Sequence, residues 1–196
     1  MRLYHVPNSS SQRVVWLLEE VGEPYELTIL GDRASRLADP AHLARHPMGR
    51  VPVLEDDGVA IFESGAICLY VADKYPAAGL LPAPGSVERG LVYQWSFFAY
   101  TEIQARLQVL RAVEDDSAET TRQQLGEAIH TVEQALGGHD YLVADHFSVA
   151  DILVSVGLAG ARRLGLIELP EQVGRYLDAM DERPAKQRSN ARNPVS

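Results

Sequence analysis

Hydrophobic and polar positions change their rhythm about a third of the way along the chain. Short β-like runs alternate with helical patterns over the first 75 or so residues, whereas nearly everything after Pro84 carries a helical spacing. Arg2 to Val6 suits a first strand. Arg13 to Val21 keeps apolar residues through one helix, which Gly22 can end in the left-handed conformation. Tyr25 to Leu30 reads as a second strand, and a loop rich in Arg, Asp and Pro follows. Val53 to Glu55 then faces Val59 to Phe62 across Asp57-Gly58, a hairpin signature. Glu63-Ser64 opens a helix that runs to about Tyr75, giving the order β-α-β-(α)-β-β-α, with a parallel pair first and an antiparallel hairpin second.

Pro76, Gly79, Pro82, Pro84 and Gly85 make the next segment too rich in breakers to be helical. It divides an α/β domain, residues 1–76, from an all-helical domain, residues 86–196, with 77–85 as linker. Ser86 to Val113 reads as one long helix. Leu125, Ile129, Val132 and Leu136 mark a second, stopped at Gly137-Gly138. The third has a doubly specified start, because Ser148 and Asp151 have capping-box spacing and Phe147 and Ile152 stand at hydrophobic-staple positions. Ile152 to Ala161 is apolar nearly all round, as the central helix of a bundle should be. A final helix runs from about Pro170 to Arg183, and a polar tail follows Pro184.

Composition narrows the partners. The 196 residues are 46% hydrophobic, enough for a sizeable core, and carry a formal charge of -9. A nucleic-acid surface needs clustered Lys and Arg to displace counterions, so an acidic chain argues against one. The start MRLYHV lacks a basic region followed by an apolar stretch, and the longest apolar run, Ser148 to Ala161, contains Asp151 and falls short of the roughly 20 residues that span a bilayer. Cys68 stands alone and forms no internal disulfide. The expectation is a cytoplasmic protein with neither nucleic acid nor membrane as partner.

Three stretches carry chemistry. Pro7-Asn8-Ser9-Ser10-Ser11-Gln12-Arg13-Val14 delivers a strand into a helix, where unpaired N–H groups and the positive dipole end favour an anion such as a thiolate. A serine hydroxyl there can donate to sulfur, or simply cap the helix. Gly49-Arg50-Val51-Pro52-Val53-Leu54 sets a proline directly before a strand. A cis bond at that point would turn the Val51 backbone toward a bound peptide. Phe62-Glu63-Ser64 places an acid and a hydroxyl at a helix start, suited to the ammonium and carboxylate of an α-amino-acid group.

In this order and on these elements, the stretches, together with Ser148-Val149-Ala150-Asp151, resemble the glutathione S-transferase family over essentially the whole chain. The resemblance implies a thioredoxin-like N-terminal domain followed by an all-α helical-bundle domain. It makes Pro52 the cis proline, pairs Val51 with the cysteinyl backbone of glutathione, and gives the γ-glutamyl end to Glu63 and Ser64. Arg50 helps to hold a glutathione carboxylate. Tyrosine-type members place their tyrosine where this chain has His5, and cysteine-type members carry a thiol where Asn8 to Ser11 has none, so the chain resembles the serine type. Aligning on Arg13 favours Ser9 as the catalytic residue and aligning on Pro7 favours Ser10. Ser9 is the first choice, and Asn8 lies at the offset used by some serine-type classes.

The implied activity joins the sulfur of glutathione, as co-substrate, to a small hydrophobic electrophile in a homodimer. The alternatives are a glutathione-dependent cis-trans isomerase of the maleyl-compound type and a non-catalytic binding module. The isomerases share the paired serines, but the cysteine that follows them there is Ser11 here; a pure scaffold needs neither Glu63-Ser64 nor a hydroxyl loop. Cys68, inside a helix, reads as a small core residue. His42 and His46 have i, i+4 spacing but no evident third metal ligand. Trp95, Phe97, Phe98 and Tyr100 belong mainly to the core, on a helix that by resemblance borders the electrophile site.

Overall fold

The computed structural model describes residues 1–112 and 116–192. The chain divides into two units, residues 1–78 together with the chain from Arg183 onward, and Gly79–Glu182. The break falls inside the breaker-rich linker, and the last segment groups with the first unit.

In the first unit β1 (Arg2–His5) leads through a serine loop into α1 (Gln12–Val21), and β2 (Glu26–Ile29) returns parallel to β1. Two short helices follow, α2 (Arg33–Ala38) and α3 (Pro40–Arg45), each started by an aspartate. Asp32 accepts from Ser35 N at 2.8 Å and Asp39 from Ala41 N at 2.9 Å. Next come β3 (Val53–Asp56), β4 (Val59–Phe62) and α4 (Ser64–Lys74). Asp57 and Gly58, with φ of +48° and +78°, make the turn between the two strands. The sheet order is β2-β1-β3-β4, with β3 antiparallel to both of its neighbours.

Helix α1 is buried along its length from Arg13 to Glu19, because it packs on α4 and on a helix absent from the sequence expectations. The segment read as a polar tail is α10 (Pro184–Ala191). Its proline stands at the first position, where the missing N–H costs nothing. Ala185 and Ser189 are its buried face, and Gln12 Nε2 donates to Ser189 O at 3.0 Å. Arg183 makes a two-pronged pair with Glu20, at 2.7 and 3.0 Å, while Arg188 and Arg192 meet the buried Glu19. The helix docks through ion pairs and small residues, so it leaves no apolar stripe for periodicity to detect.

In the second unit the helix expected over Ser86–Val113 is three segments: α5 (Val87–Phe98), a π-helical turn (Ala99–Gln104) and α6 (Ala105–Leu110). Val113 lies outside the described residues. No proline or glycine accompanies the π turn, so residue type gave no warning of it. Helices α7 (Asp116–Leu136), α8 (Val149–Arg163) and α9 (Glu171–Glu182) complete the unit. Buried α8 approaches the π turn closely at Gly157, where a Cβ would come within 2.9 Å of Ile103 Cγ2. No helix among the described residues is long and apolar enough to cross a membrane.

The start of α8 carries the capping box. Ala150 N donates to Ser148 Oγ at 3.2 Å, and Ser148 N donates to Asp151 Oδ2 at 2.9 Å. Asp151 also accepts from Leu142 N and Tyr176 Oη, at 3.0 and 3.1 Å. Burial raises its pKa, and those donors oppose the rise.

Three substitutions test these anchors by denaturant unfolding. Ser148→Ala should cost about 0.5 to 2 kcal/mol through loss of the cap. Asp151→Ala should cost more, since it strands the buried N–H groups of Leu142 and Ser148 at about 1 to 3 kcal/mol each. Arg183→Ala should lose roughly 1.5 to 3 kcal/mol, the range for hydrogen bonds to a charged group. An unchanged midpoint in any of these would contradict the anchor concerned.

Candidate active site

Strand pairing gathers the three chemistry-bearing stretches at one end of the sheet. Tyr4 pairs with Val53 and Val53 with Phe62. His5, Pro52 and Glu63 are the next residues of the three segments beyond these pairs. Because β3 runs against both neighbours, the ends of β1 and β4 meet the beginning of β3. Helices α1 and α4 both start from this end, so two positive helix termini point to the same place.

The loop between β1 and α1 gives its three serines different tasks. Ser11 is fully buried, with Oγ 2.7 Å from Nδ1 of the equally buried His5. Ser9 Oγ lies 2.7 Å from Val6 O and 2.6 Å from Ser11 Oγ, so its hydroxyl bonds back into the loop. Ser10 is exposed, and its hydroxyl donates to Val51 O at 3.2 Å. Asn8 is exposed too, at a φ of +57° that suits asparagine better than most residues. Of the two first-choice serines, the structure brings Ser10 to Val51 and occupies Ser9 internally. Tyr4 faces the other side of β1 and donates to Glu55 at 2.7 Å, leaving no tyrosine hydroxyl in the loop.

The Val51-Pro52 peptide is cis, and Pro52 is buried where β3 begins. The residues before it are held by their own carbonyls. His42 Nε2 donates to Arg50 O at 3.0 Å and Arg36 Nε to Gly49 O at 3.1 Å. Gly49 has φ of +59°, and a Cβ there would lie 2.8 Å from Leu37 Cδ2, so only glycine fits. His46 Nδ1 accepts from Met48 N at 3.2 Å, its ring 4.7 Å from that of Phe62, and burial lowers its pKa. The two histidines weighed as metal ligands thus brace the segment that presents Arg50 and Val51. Among the described residues no cluster of three or more His, Cys, Asp or Glu is arranged to hold a metal. Their i, i+4 spacing suggests one helix face, but α3 ends at Arg45 and His46 is its extended C-cap.

Glu63 is exposed with φ of +71°, an uncommon conformation for a residue with a side chain. It hands the chain into α4, where Ser64 is buried in the first turn. The Arg50 side chain is exposed. Cys68 lies wholly inside α4's buried face, its thiol pushed up to about 12 by burial, so it supplies no nucleophile. The end of the sheet therefore offers an exposed serine whose hydroxyl rests on Val51 O, a cation, and an acid–hydroxyl pair at a second helix start. These groups match the parts of a peptide that carries both a thiol and an α-amino acid.

Residues 1–73 match the family model "Glutathione S-transferase, N-terminal domain" and residues 91–184 match "Glutathione S-transferase, C-terminal domain". Glutathione S-transferase 3 of Zea mays is 30% identical, over 100% of this chain and 95% of the relative. GstA of Escherichia coli O157:H7 is 28% identical over 95% and 96%. Among solved structures, a ternary complex of BphK, a bacterial GST, shares 32% identity at a TM-score of 0.90, with each chain covered in full. A sphingomonad glutathione S-transferase complexed with glutathione shares 29% at 0.87, again with full coverage. The chain belongs to the glutathione S-transferase family of enzymes, whose co-substrate is glutathione.

Proposed function

We propose that this protein binds glutathione at the end of its sheet and joins the glutathione sulfur to small hydrophobic electrophiles, with a serine hydroxyl stabilising the thiolate. The observation that carries this reading is the Ser10 hydroxyl seated on Val51 O, beside Pro52. In the family's binding mode the Val51 carbonyl accepts from the cysteinyl N–H of the peptide. A bound peptide would displace the Ser10 hydroxyl from that oxygen and leave its hydrogen within a few bonds of the sulfur. Glu63 and Ser64 hold the γ-glutamyl end, and Arg50 a carboxylate.

The chemistry follows from these placements. A free thiol, with a pKa of about 8.5, is only a few per cent thiolate at neutral pH. A hydroxyl donor and the N-terminus of α1 both favour the anion, so they raise the fraction of nucleophile. The thiolate attacks an electrophilic carbon, a C–S bond forms, and the displaced group leaves with its electron pair. Holding the peptide at both ends fixes the sulfur's approach.

Ser9 is a second reading, favoured by the register on Arg13. Its hydroxyl has a single hydrogen, which Val6 O already receives at 2.7 Å, so donation to sulfur would require giving up that bond. Cytoplasmic action as a homodimer completes the proposal. Support for pairing comes from exposed apolar side chains in each unit, such as Val59 and Phe62 in the first and Val87 and Phe97 in the second.

Ser10→Ala should raise the pKa of bound glutathione and reduce turnover by about tenfold to a hundredfold near neutral pH, as expected for a hydrogen bond of roughly 1.5 to 3 kcal/mol to an anion. The deficit should be constant below the wild-type thiol pKa and vanish above that of the variant, where both enzymes hold thiolate. Calorimetric affinity for glutathione should change little. A larger pH-dependent loss in Ser9→Ala would give the role to Ser9, and failure of the intact protein to bind glutathione would leave the non-catalytic reading. Light scattering at micromolar concentration should give twice the chain mass; a monomer would contradict the homodimer.

A further inference from the structure

The buried side of the serine loop holds a hydrogen-bond chain that the reaction itself does not use. It begins at His5, the last residue of β1, whose Nδ1 lies 2.7 Å from Ser11 Oγ. Ser11 Oγ lies 2.6 Å from Ser9 Oγ, and Ser9 Oγ 2.7 Å from Val6 O. Two backbone donors enter from the side, Val6 N to Ser11 Oγ at 3.3 Å and Ser11 N to Ser9 Oγ at 3.2 Å.

Counting hydrogens fixes the direction of this chain. Each hydroxyl has one hydrogen, and Val6 O can only accept. If His5 Nδ1 carries a hydrogen and donates to Ser11, then Ser11 can donate to Ser9 at 2.6 Å in preference to Val6 O, farther off at 3.1 Å, and Ser9 donates to Val6 O. Every short contact then has a hydrogen in it. If instead Ser11 donates to a bare Nδ1, the single hydrogen of Ser9 must serve either Ser11 Oγ or Val6 O. One contact of 2.6 or 2.7 Å would then set two lone pairs against each other. The outward direction is the one that satisfies the whole set, whether or not the ring carries a second proton.

The chain also determines where Ser10 points. Ser9 and Ser11 are its neighbours on either side, and both turn inward to the chain that starts at His5. The residue between them faces outward, to Val51. We propose that His5 is a positioning residue of the active site: its Nδ1–H, acting through Ser11 and Ser9, holds the loop so that the Ser10 hydroxyl is presented to the bound sulfur. The inference rests on the role given above to Ser10.

Two measurements on the full chain test it. Nitrogen NMR of the imidazole in the ligand-free protein should show hydrogen on Nδ1 of His5, and a bare Nδ1 would overturn the proposal outright. The ultraviolet absorbance of bound thiolate, followed against pH, gives the second readout. Ser11→Ala removes the middle link with little change of volume. It should raise the bound thiol's pKa by roughly half a unit to one unit, a threefold to tenfold loss of thiolate near neutral pH, with glutathione affinity held within about twofold. His5→Leu should do the same, and His5→Asn, which keeps an N–H donor near the place of Nδ1, should recover most of the loss. Added to Ser10→Ala, neither Ser11→Ala nor His5→Leu should shift the pKa further. If Ser10→Ala shifts the thiol and Ser11→Ala and His5→Leu do not, His5 has no positioning role and the serine mechanism stands. If none of the three shifts it while glutathione still binds, the serine mechanism fails and the positioning role with it.

Discussion

The antiparallel pairing of β3 with both β1 and β4 is the constraint on which the site depends. Because Val53 stands opposite Tyr4 on one side and Phe62 on the other, three chain segments far apart in sequence must end level with one another. Side chains alternate along a strand, so a slip of one residue in either pairing would invert an entire face. Leu3, Val53 and Leu54 are fully buried, the consecutive Val53 and Leu54 on opposite faces of β3, so a slip would force side chains of different size into each packed layer. The position of Ser10 beside Val51 follows from that packing together with the path of the loop.

Given the register, the remaining work is to hold irregular backbone in place, and here buried polar side chains act where apolar packing cannot. The segment before Pro52 has no ladder partners for its carbonyls. His42 and Arg36 supply them from α3 and α2, and Gly49 permits the approach of Leu37. The β1–α1 loop is held in the same manner by His5, Ser11 and Ser9. Buried polar groups of this kind stabilise one geometry because any other leaves them unsatisfied at about 1 to 3 kcal/mol apiece. Both loops are therefore braced for the same physical reason, which suits a site proposed to aim a sulfur atom.

This distinction also explains what could be read from the sequence. The strands, α1, α4 and the α8 capping box were legible because their signals are local: alternation, Gly22, Asp57-Gly58, and Ser148 with Asp151. The three site stretches were legible because their order matched a known family. What escaped was set by contacts distant in sequence. Helix α10 carries no stripe, and its docking depends on Glu19 and Glu20 more than 160 residues earlier. The π turn at Ala99–Gln104 leaves no mark in residue type. The proposed preference for Ser10 over Ser9 turns on which hydroxyl faces outward and which is bonded back into the loop, and alignments on Arg13 and on Pro7 disagree because neither encodes that. His5 served in the sequence only to exclude a tyrosine; its bond to Ser11 depends on the loop's path.

One apparent conflict remains between the whole molecule and its ligand. Glutathione is a net anion at neutral pH, and the chain carries a formal charge of -9. At physiological ionic strength, however, charges separated by more than about 8 Å are largely screened, so the distant acidic surface has little effect at the site. The groups that the three stretches bring to this end of the sheet are mostly of the other sign or neutral: the Arg50 guanidinium, the N-terminal ends of α1 and α4, and the serine hydroxyls. Glu63 is the exception, and it stands at the end assigned to the ligand's ammonium group. In the proposed binding mode the sign pattern runs positive toward the thiolate and carboxylates and negative toward the amine. The same pattern would then both offset the global charge and orient the tripeptide.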